Sequence, residues 1–580
     1  MKIVQTRRIS QLVFFVLFGW FCIVATVGES FWQIQGWPVN WLLQLDPLVA
    51  IGTVLTTHTL YRGLLWALAT IILTILFGRF FCGWVCPFGT IHQVVGYLAH
   101  RKASLKQKLQ LNSYHNLQRL KYYLLIVFLA AAAYPSHAAV LFTGLLDPIP
   151  LISRSFNLVL LPMLDASHGI TSVKQRFFEG GGLILIVFFL SVLANMLIPR
   201  FYCRFICPLG ALFGLMTKVS LWKISKKTLE CSDCKACERD CEGGCEPSTR
   251  IRSSECLLCC NCLDACEDQI MTYQGVHSNI EQPGPDISRR GFALSLVSGL
   301  ISVPALNLDN RNGANYYSSL IRPPGALAEN EFLQRCIRCG QCMRICPTNV
   351  LQPVGFEYGI EALWTPALNN RIGSSGCQLN CIACGHICPT SAVRPLTFSE
   401  KIGSGDFKPG GPIKIGTAFL DRGRCLPWAM DKPCIVCEEN CPVSPKAVFT
   451  REEFATIRDG ILSVKEIHGE RIIIQQKTLV AGHFSTGDYY CLMGETRYRI
   501  LSNSTDTLML DGNPKADAPA PSNLFVQIRL QKPHVDISRC TGCGICEHEC
   551  PVSGKRAIRV SAEGETRNSD RTLLLKRWIK

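Results

Sequence analysis

Five stretches of mostly apolar residues alternate with polar and basic segments in the first half of the chain. They cover residues 11–27, 60–77, 122–145, 181–198 and 292–308. Each approaches the roughly 20 apolar residues that a helix needs to cross a bilayer. The first four stretches predict membrane-spanning helices. The fifth is short and contains Pro304, so it fits either a fifth anchor or a buried core helix.

Lysine and arginine residues are unevenly distributed around these stretches. They precede the first, fill the segment between the second and third, and follow the fourth, whereas residues 29–59 contain none. Because cytoplasmic loops are enriched in these residues, we expect the N-terminus and residues 226–290 to be cytoplasmic. A fifth span then places the residues after about 310 in the periplasm. The net charge of +15 thus reflects membrane topology, and we expect no nucleic-acid partner.

The membrane part contains an internal repeat. Leu45-Asp46-Pro47-Leu48 corresponds to Leu146-Asp147-Pro148-Ile149, and later in each half an Arg-Phe pair precedes a Cys-x3-Cys-Pro motif. The motifs contain Cys82 with Cys86 and Cys203 with Cys207. Two repeats of the same sense indicate a pseudo-twofold axis along the membrane normal.

The chain has 32 cysteines, and most of them fall in tight groups of four. Disulfide scaffolds are usually short secreted chains, and zinc sites favour cysteine pairs separated by longer gaps. The grouping instead favours [4Fe–4S] ligation, in which Cys-x2-Cys-x2-Cys supplies three ligands and the fourth cysteine usually ligates the neighbouring cluster.

Six such groups predict six [4Fe–4S] clusters. Four of the groups end in Cys-Pro, and the fourth and fifth groups have a widened first gap. The groups are Cys231, Cys234, Cys237 and Cys241; Cys256, Cys259, Cys262 and Cys266; Cys336, Cys339, Cys342 and Cys346; Cys377, Cys381, Cys384 and Cys388; Cys425, Cys434, Cys437 and Cys441; and Cys540, Cys543, Cys546 and Cys550. Cys245 precedes Glu246-Pro247 and is an alternative ligand to Cys241, a choice that the sequence leaves open.

The repeat cysteines Cys82, Cys86, Cys203 and Cys207 form a further candidate site. Cysteines four residues apart share one face of a helix, and the repeat brings two such faces toward one axis. Four thiolates in an apolar setting suit an additional iron–sulfur cluster or another soft metal. The alternative is a structural bend at Pro87 and Pro208, with the cysteines packed as small hydrophobic residues.

Three residues are candidates for a quinone site. Asp46 and Asp147 occupy matching places in the repeat, and His58 is near the first of them. A quinol that gives up electrons also releases protons, which an acid or base at the membrane surface must receive. The alternative is that each Asp-Pro only caps a helix.

The predicted fold is a membrane α-helical bundle joined to α+β ferredoxin-like domains. Residues 1–225 form the four-span domain, 226–285 a cytoplasmic two-cluster ferredoxin and 286–310 a signal anchor. Residues 311–580 form a periplasmic four-cluster domain with a β-rich insertion at about 452–535, where alternating strands and turn signals occur. The anchor begins with Ser288-Arg289-Arg290-Gly291-Phe292, which resembles a twin-arginine export signal and suits a domain exported with its clusters already in place.

These motifs together resemble two known kinds of protein. Residues 1–270, with the paired Cys-x3-Cys-Pro motifs and a two-cluster segment, resemble the NapH-type membrane quinol dehydrogenase. Residues 286–580, with the twin arginine, Arg322-Pro323-Pro324-Gly325-Ala326 and four cluster motifs, resemble the NapG/MauM-type periplasmic ferredoxin. The chain differs from both in being a fusion, in its widened spacings and in its β insertion.

The resemblance implies an electron conduit in the bacterial inner membrane. Such a quinol dehydrogenase takes electrons from the quinone pool and passes them to a periplasmic reductase or multihaem cytochrome within a larger respiratory complex. It also implies that the outer and inner motifs of the C-terminal domain pair, so that Cys550 completes the first of its four clusters. Two alternatives are an electron-supplying maturation factor or metal reductase for a periplasmic metalloenzyme, and a structural scaffold subunit.

Overall fold

The computed structural model describes residues 3–27, 39–134, 142–168, 176–227, 231–249, 251–275, 284–307, 317–475, 479–514, 522–568 and 571–573. It divides into two compact units. The first unit comprises residues 1–374, 380–415 and 565–580, and the second comprises residues 375–379 and 416–564.

Helices dominate the first unit. Among the described residues, Ile3–Ala25 is the one helical stretch that is long and apolar enough to cross a membrane, and it contains most of the first predicted span. The other predicted spans contain shorter or less apolar helices, so the four-span bundle stays a prediction. These helices are Ala67–Phe77, Leu120–Ala132, Gly181–Leu193 and Arg289–Asn307.

The two halves of the repeat begin with the same helix cap. Asp46 caps helix Pro47–Thr57 and accepts a hydrogen bond from the Leu48 amide at 2.9 Å. Asp147 caps helix Pro148–Ser155 and accepts one from the Ile149 amide at 3.4 Å. Proline suits the first helical position, where its missing N–H is no loss. The capping role considered for each Asp-Pro is therefore present in both halves.

The Cys-Pro motifs also begin helices. Cys86 caps Pro87–His100 and Cys207 caps Pro208–Met216. The first cysteine of each pair lies in an earlier turn, Cys82 in helix Phe80–Trp84 and Cys203 in the π-helical turn Tyr202–Ile206. The prediction that each pair shares a helix face is therefore wrong, because a residue before proline is forced out of the helical conformation.

Each ferredoxin-like segment combines short helices with a two-stranded antiparallel sheet. Trp222–Lys226 pairs with Met271–Gly275, Leu351–Pro353 with Pro366–Leu368, and Thr417–Leu420 with Ile558–Ser561. The short helices that follow the second cysteine of a motif are Ala236–Arg239, Asn261–Ala265, Gln341–Arg344, Ala383–His386, Val436–Glu439 and Ile545–Glu549.

Further short helices connect these elements. They are Trp41–Gln44, Leu105–Asn112, Thr143–Leu146, Leu161–His168, Glu329–Arg335, Phe398–Ile402 and Leu426–Ala429.

The predicted β-rich insertion is a closed six-stranded barrel in the second unit. Its long strands Val448–His468 and Asn523–Val535 pair antiparallel over most of their length. Leu462, Ile472 and other apolar side chains fill the interior. The strand order around the barrel is Thr507–Leu510, Arg471–Ile474, Val448–His468, Asn523–Val535, Tyr489–Met493 and Thr496–Asn503.

One apolar core runs through the first unit from the repeat to a C-terminal cluster motif. It contains Cys86 and Cys207, the residues that follow the two Asp-Pro caps, and Ile337 with Cys339. Because these side chains exclude water together, the repeat and this motif fold as one body.

Candidate functional site

Three cavities in the C-terminal half are each lined by four cysteines. The rest of each lining is mainly apolar, which suits a cube held by thiolates. The four cysteines are Cys336, Cys339, Cys342 and Cys388 in the first unit, and Cys425, Cys434, Cys437 and Cys550, then Cys441, Cys540, Cys543 and Cys546, in the second.

These groupings correct the predicted wiring. Cys550 lies with Cys425, Cys434 and Cys437 and not with the first C-terminal motif, whose fourth cysteine is Cys388. The last two motifs exchange their last cysteines, Cys441 and Cys550, and the motif before them supplies Cys388 to the motif that begins at Cys336. Motifs adjacent in sequence therefore pair, each pair with its own two-stranded sheet. Of the remaining predicted ligands, Cys346, Cys381 and Cys384 belong to the first unit and Cys377 to the second.

The segment predicted to hold two clusters, hereafter the two-cluster segment, is described at residues 231–249 and 251–275 and keeps several of its cysteines close to a small apolar cluster. Cys237, Cys256, Cys262 and Cys266 pack with Ile224 and Met271, whereas Cys231 and Cys234 are exposed. Burial raises the pKa of the Cys262 thiol, and Cys259, Cys256 and Cys241 raise it further, which places Cys241 beside that group. Cys245 contacts both Cys241 and Cys256, so both candidates for the fourth ligand remain.

The four repeat cysteines lie together although they do not share helices. Cys203 neighbours Cys82, Cys86 and Cys207, and Cys86 also neighbours Cys82. Cys86 and Cys207 are buried, and the amides of Gly89 and Gly210 donate to their sulfurs at 3.4 and 3.2 Å. Among the residues that the structure describes, no group of three or more His, Cys, Asp or Glu side chains is placed to hold a single metal ion, either here or in the three four-cysteine cavities.

Two arginines at matching repeat positions point into this cysteine group from opposite halves. Arg79 and Arg200 are each 1% exposed. An added Cβ at Gly210 would lie 3.0 Å from Arg79 Nη2, and one at Gly89 would lie 3.4 Å from Arg200 Nη1, so each arginine reaches the Cys-Pro turn of the other half. Arg79 Nη2 and Arg200 Nη1 have no hydrogen-bond partner among the described residues.

Buried N–H groups without acceptors are costly in a protein interior, and a buried cation needs a countercharge. An iron–sulfur cluster ligated by four thiolates is anionic and carries acceptor sulfides. The residues present therefore fit such a cluster between the two halves.

The two-cluster segment docks on the same end of the repeat through two glutamates, the partly exposed Glu242 and the buried Glu255. Glu242 pairs with Arg200 at 2.7 Å and with Arg7 at 3.0 Å. Burial disfavours its charged form, but Arg200 and Arg7 outweigh burial and lower the pKa of Glu242 to about 2. Glu255 forms a salt bridge with Lys121 and accepts from the Tyr122 hydroxyl at 2.8 Å.

Backbone contacts bring the two surfaces closer still. Arg79 Nη1 donates to the Ser254 carbonyl at 2.6 Å, and Trp84 Nε1 donates to the Leu258 carbonyl at 3.0 Å. Gly83 lies against the Leu257 carbonyl, with only 2.2 Å to an added Cβ. The segment that carries Cys256 and Cys259 is therefore held against the repeat cysteines.

The structure joins two of the three quinone-site candidates and separates the third. Asp46 and Asp147 are both 0% exposed, and their carboxyl groups are direct neighbours. In each of them Oδ1 caps a helix, while Oδ2 has no hydrogen-bond partner among the described residues. His58 ends helix Pro47–Thr57, at the far end from Asp46, and is exposed.

The motif that begins at Cys336 docks on other residues of the repeat. The Thr56 hydroxyl donates to the Gln334 carbonyl at 3.1 Å, and Gly144 packs against Ile337. Arg154 donates to the Arg338 carbonyl at 3.2 Å and lies 4.2 Å from the Trp364 ring centre. A fully buried salt bridge joins Arg344 to Asp165 at 3.0 Å.

Tyr202 connects these features. It is buried, its neighbours include Cys203, Cys207, Asp147 and Arg154, and its hydroxyl donates to the Leu146 carbonyl. No functional role was predicted from the sequence for Tyr202, Arg154, Arg79 or Arg200. For Arg79 and Arg200 a signal was present, because both stand three residues before the first cysteine of their motif.

Comparison with known protein families gives matches at the cysteine-containing segments. A family described as a 4Fe-4S binding domain matches residues 59–106 and 181–227, which contain both Cys-x3-Cys-Pro motifs. A second family of the same description matches residues 333–352 and 533–553. No solved structure matches the chain.

Several curated proteins are similar to the chain over less than 55% of its length. The ferredoxin-type protein NapH of Escherichia coli is 26% identical over 288 residues, which cover 46% of this chain and 87% of NapH. The regulatory protein NosR of Pseudomonas aeruginosa is 27% identical and the matched part covers 53% of this chain and 38% of NosR. The protein NirI of Paracoccus denitrificans is 28% identical, with coverage of 40% and 32%.

These similarities support a NapH-like polyferredoxin family and iron–sulfur electron transport as the general activity, with more than one [4Fe–4S] cluster. They leave the fusion with a NapG-type domain as a prediction.

Proposed function

We propose that the chain oxidises quinol at the membrane and conducts the electrons through its iron–sulfur clusters to a periplasmic redox partner. The observation that carries the proposal is the single apolar core in which the repeat cysteines Cys86 and Cys207 lie together with the C-terminal ligand candidate Cys339. Tyr202 belongs to this core and adjoins Asp147 and Arg154. When bound, the clusters supply single-electron transfer without bond chemistry. The chain then needs only to position them and to manage protons.

The proton part of the reaction falls to the two aspartates. A quinol that becomes a quinone gives up two electrons and two protons. Asp46 and Asp147 present neighbouring carboxyl groups, each with one oxygen not engaged in capping. Two carboxylates this close are most stable when they share a proton. The singly protonated pair can therefore accept one proton from quinol, pass it on and then accept the second in the same way, as a general base does.

The topology of the proposal follows the positive-inside pattern. The two-cluster segment faces the cytoplasm, and the motifs after residue 317 face the periplasm. A reporter fused after Lys580 should be active only as a periplasmic reporter. Changing Arg289 and Arg290 to Lys should keep the C-terminal part from being exported. The control variant Arg101→Lys, which makes the same substitution in a different basic segment, should leave export intact.

Reduction by a quinol analogue tests the function. The protein is purified anaerobically and reconstituted in lipid. A quinol analogue should then reduce every cluster whose reduction potential is above that of the analogue. Failure of quinol to reduce any cluster that dithionite reduces would overturn the proposal. Turnover of Cu(II) by protein that lacks the second unit would instead support the alternative of a metal reductase.

A further inference from the structure

The repeat cysteines are surrounded by an arrangement that obeys the pseudo-twofold symmetry. Each half contributes two cysteines, one arginine three residues before the first cysteine, and one glycine three residues after the second. The arginine of each half lies beside the glycine of the other half. This crossed arrangement needs residues of both halves. The two arginines and two glycines therefore surround one volume that the halves share.

The arginines are only partly used by the protein. Arg79 donates Nη1 to the Ser254 carbonyl, and Nε and Nη2 find no partner among the described residues. Arg200 donates Nε to Glu242 and Nη2 to Gln93 Oε1, at 2.7 and 3.0 Å, and Nη1 is left over. On each arginine one unused nitrogen, Arg79 Nη2 or Arg200 Nη1, adjoins the glycine of the other half. The amides of these glycines donate to Cys86 and Cys207, so both nitrogens lie beside a turn that carries a cysteine sulfur.

We propose that Arg79 and Arg200 form a two-sided anion clamp on a single iron–sulfur cluster shared by Cys82, Cys86, Cys203 and Cys207, and that they stabilise its reduced form. This inference rests on the proposed function, which needs a relay through the repeat. Reduction adds one negative charge to an already anionic cluster. Two buried guanidinium groups lower the cost of that charge, since Coulomb interactions are strong where water is excluded. Hydrogen bonds to cluster sulfurs act in the same direction.

Glu242 allows a test based on the direction in which the reduction potential changes. It neutralises Arg200 from the side away from the cysteines, through a 2.7 Å ion pair. Removal of the arginine charge should lower the reduction potential of the shared cluster. Removal of the Glu242 charge should raise it, because the Arg200 cation is then less compensated. A role limited to docking the two-cluster segment predicts the same direction for both changes.

The experiment is a redox titration of the holoprotein followed by electron paramagnetic resonance. The signal of the shared cluster is the one that disappears in the double variant Cys82→Ser, Cys203→Ser. In Arg79→Gln and Arg200→Gln the reduced fraction of this cluster at a fixed potential should fall about tenfold, which is 59 mV for one electron. Glu242→Gln should increase that fraction, and Arg79→Lys should give a smaller loss than Arg79→Gln.

Arg204→Gln is the matched control, because Arg204 adjoins Cys203 in sequence but donates to the Leu111 and Ser113 carbonyls. It should leave the signal of the shared cluster in place. If Arg79→Gln does not fold, Gly210→Ala replaces it as a probe. Its added methyl group would lie only 3.0 Å from Arg79 Nη2 and would push the guanidinium group away, so the reduced fraction should fall.

Two kinds of failure are distinguishable. Absence of any signal that depends on Cys82 and Cys203 would overturn the relay in the proposed function. A signal that depends on these cysteines but is unmoved by Arg79→Gln and Arg200→Gln, or moved equally by Arg204→Gln, would overturn the clamp alone.

Discussion

The two halves of the repeat share one set of residues and differ in another. Both halves contain the capping aspartate, the arginine, the two cysteines and the glycine, and all of these meet near the axis. At other matching positions the halves differ: Thr53 corresponds to Arg154, and Phe81 to Tyr202. The second half thus has, in Arg154, a charged group that adjoins Cys336 and Cys339.

This difference separates two roles. Under the proposed function, the symmetric residues would hold the shared centre, whereas Arg154 would link it to one neighbour, the motif that begins at Cys336. A symmetric pair of halves alone would have no preferred direction. Substitutions that remove symmetric residues should therefore have larger effects than those that remove asymmetric ones.

The largest effect is expected at the aspartate pair. Asp46→Asn or Asp147→Asn keeps a helix cap, since asparagine caps as well as aspartate, but removes the proton acceptor. Quinol oxidation should fall by about 100-fold or more, the usual contribution of a general base. Steady-state quinol oxidation measures it. His58→Gln is the control and should leave the rate unchanged. Equal losses at both positions support a shared site, and a normal rate in either variant would remove that residue from the mechanism.

A smaller effect is expected at Arg154, which is buried and donates to the Arg338 carbonyl between Cys336 and Cys339. Arg154→Gln should lower the potential of the cluster held by Cys336, Cys339, Cys342 and Cys388, because a nearby cation is lost. At a fixed potential the reduced fraction of that cluster should fall several-fold in a redox titration. Thr53→Ala, at the matching position of the first half, should leave it unchanged, and a shift of equal size in that variant would contradict the asymmetric role.

The smallest effect is expected at Tyr202. Tyr202→Phe makes the second half identical to the first at this position and removes one hydrogen bond to the Leu146 carbonyl. The free energy of unfolding should fall by about 1 kcal/mol. Thermal unfolding should show this loss as a lower midpoint temperature, while the cluster content stays unchanged. Phe81→Tyr, the reverse exchange, places a hydroxyl in the apolar core and should cost more. A large loss of electron transfer in Tyr202→Phe would show that the hydroxyl takes part in the relay.

The sequence predicted local features well and long-range ones poorly. Cysteines separated by two residues lie close together within one loop, so the three members of such a motif that line one cavity could be predicted from the sequence. The pairing between motifs depends on which segments fold together, and there the expected partner of Cys550 was wrong. The β character of the insertion followed from alternation. Its closure depends on the pairing of Val448–His468 with Asn523–Val535, which lie far apart in the chain.

The site shows the same division. The internal repeat allowed all four cysteines and both aspartates to be chosen as candidates, because equivalent positions in two related halves lie near the axis between them. The docking glutamates could not be predicted, since Glu242 finds Arg7 across 235 residues and Glu255 finds Lys121 across 134. Nothing local in either segment specifies those partners.

The central claim is that both halves of the repeat together hold a redox centre that links quinol to the C-terminal clusters. Anaerobic iron and sulfide analysis, combined with quinol-driven reduction, tests it most directly on the double variant Cys82→Ser, Cys203→Ser. The account predicts that this variant loses one cluster's iron, keeps the ferredoxin-type clusters reducible by dithionite, and no longer reduces them with quinol. Unchanged iron content together with unchanged quinol-driven reduction would contradict it.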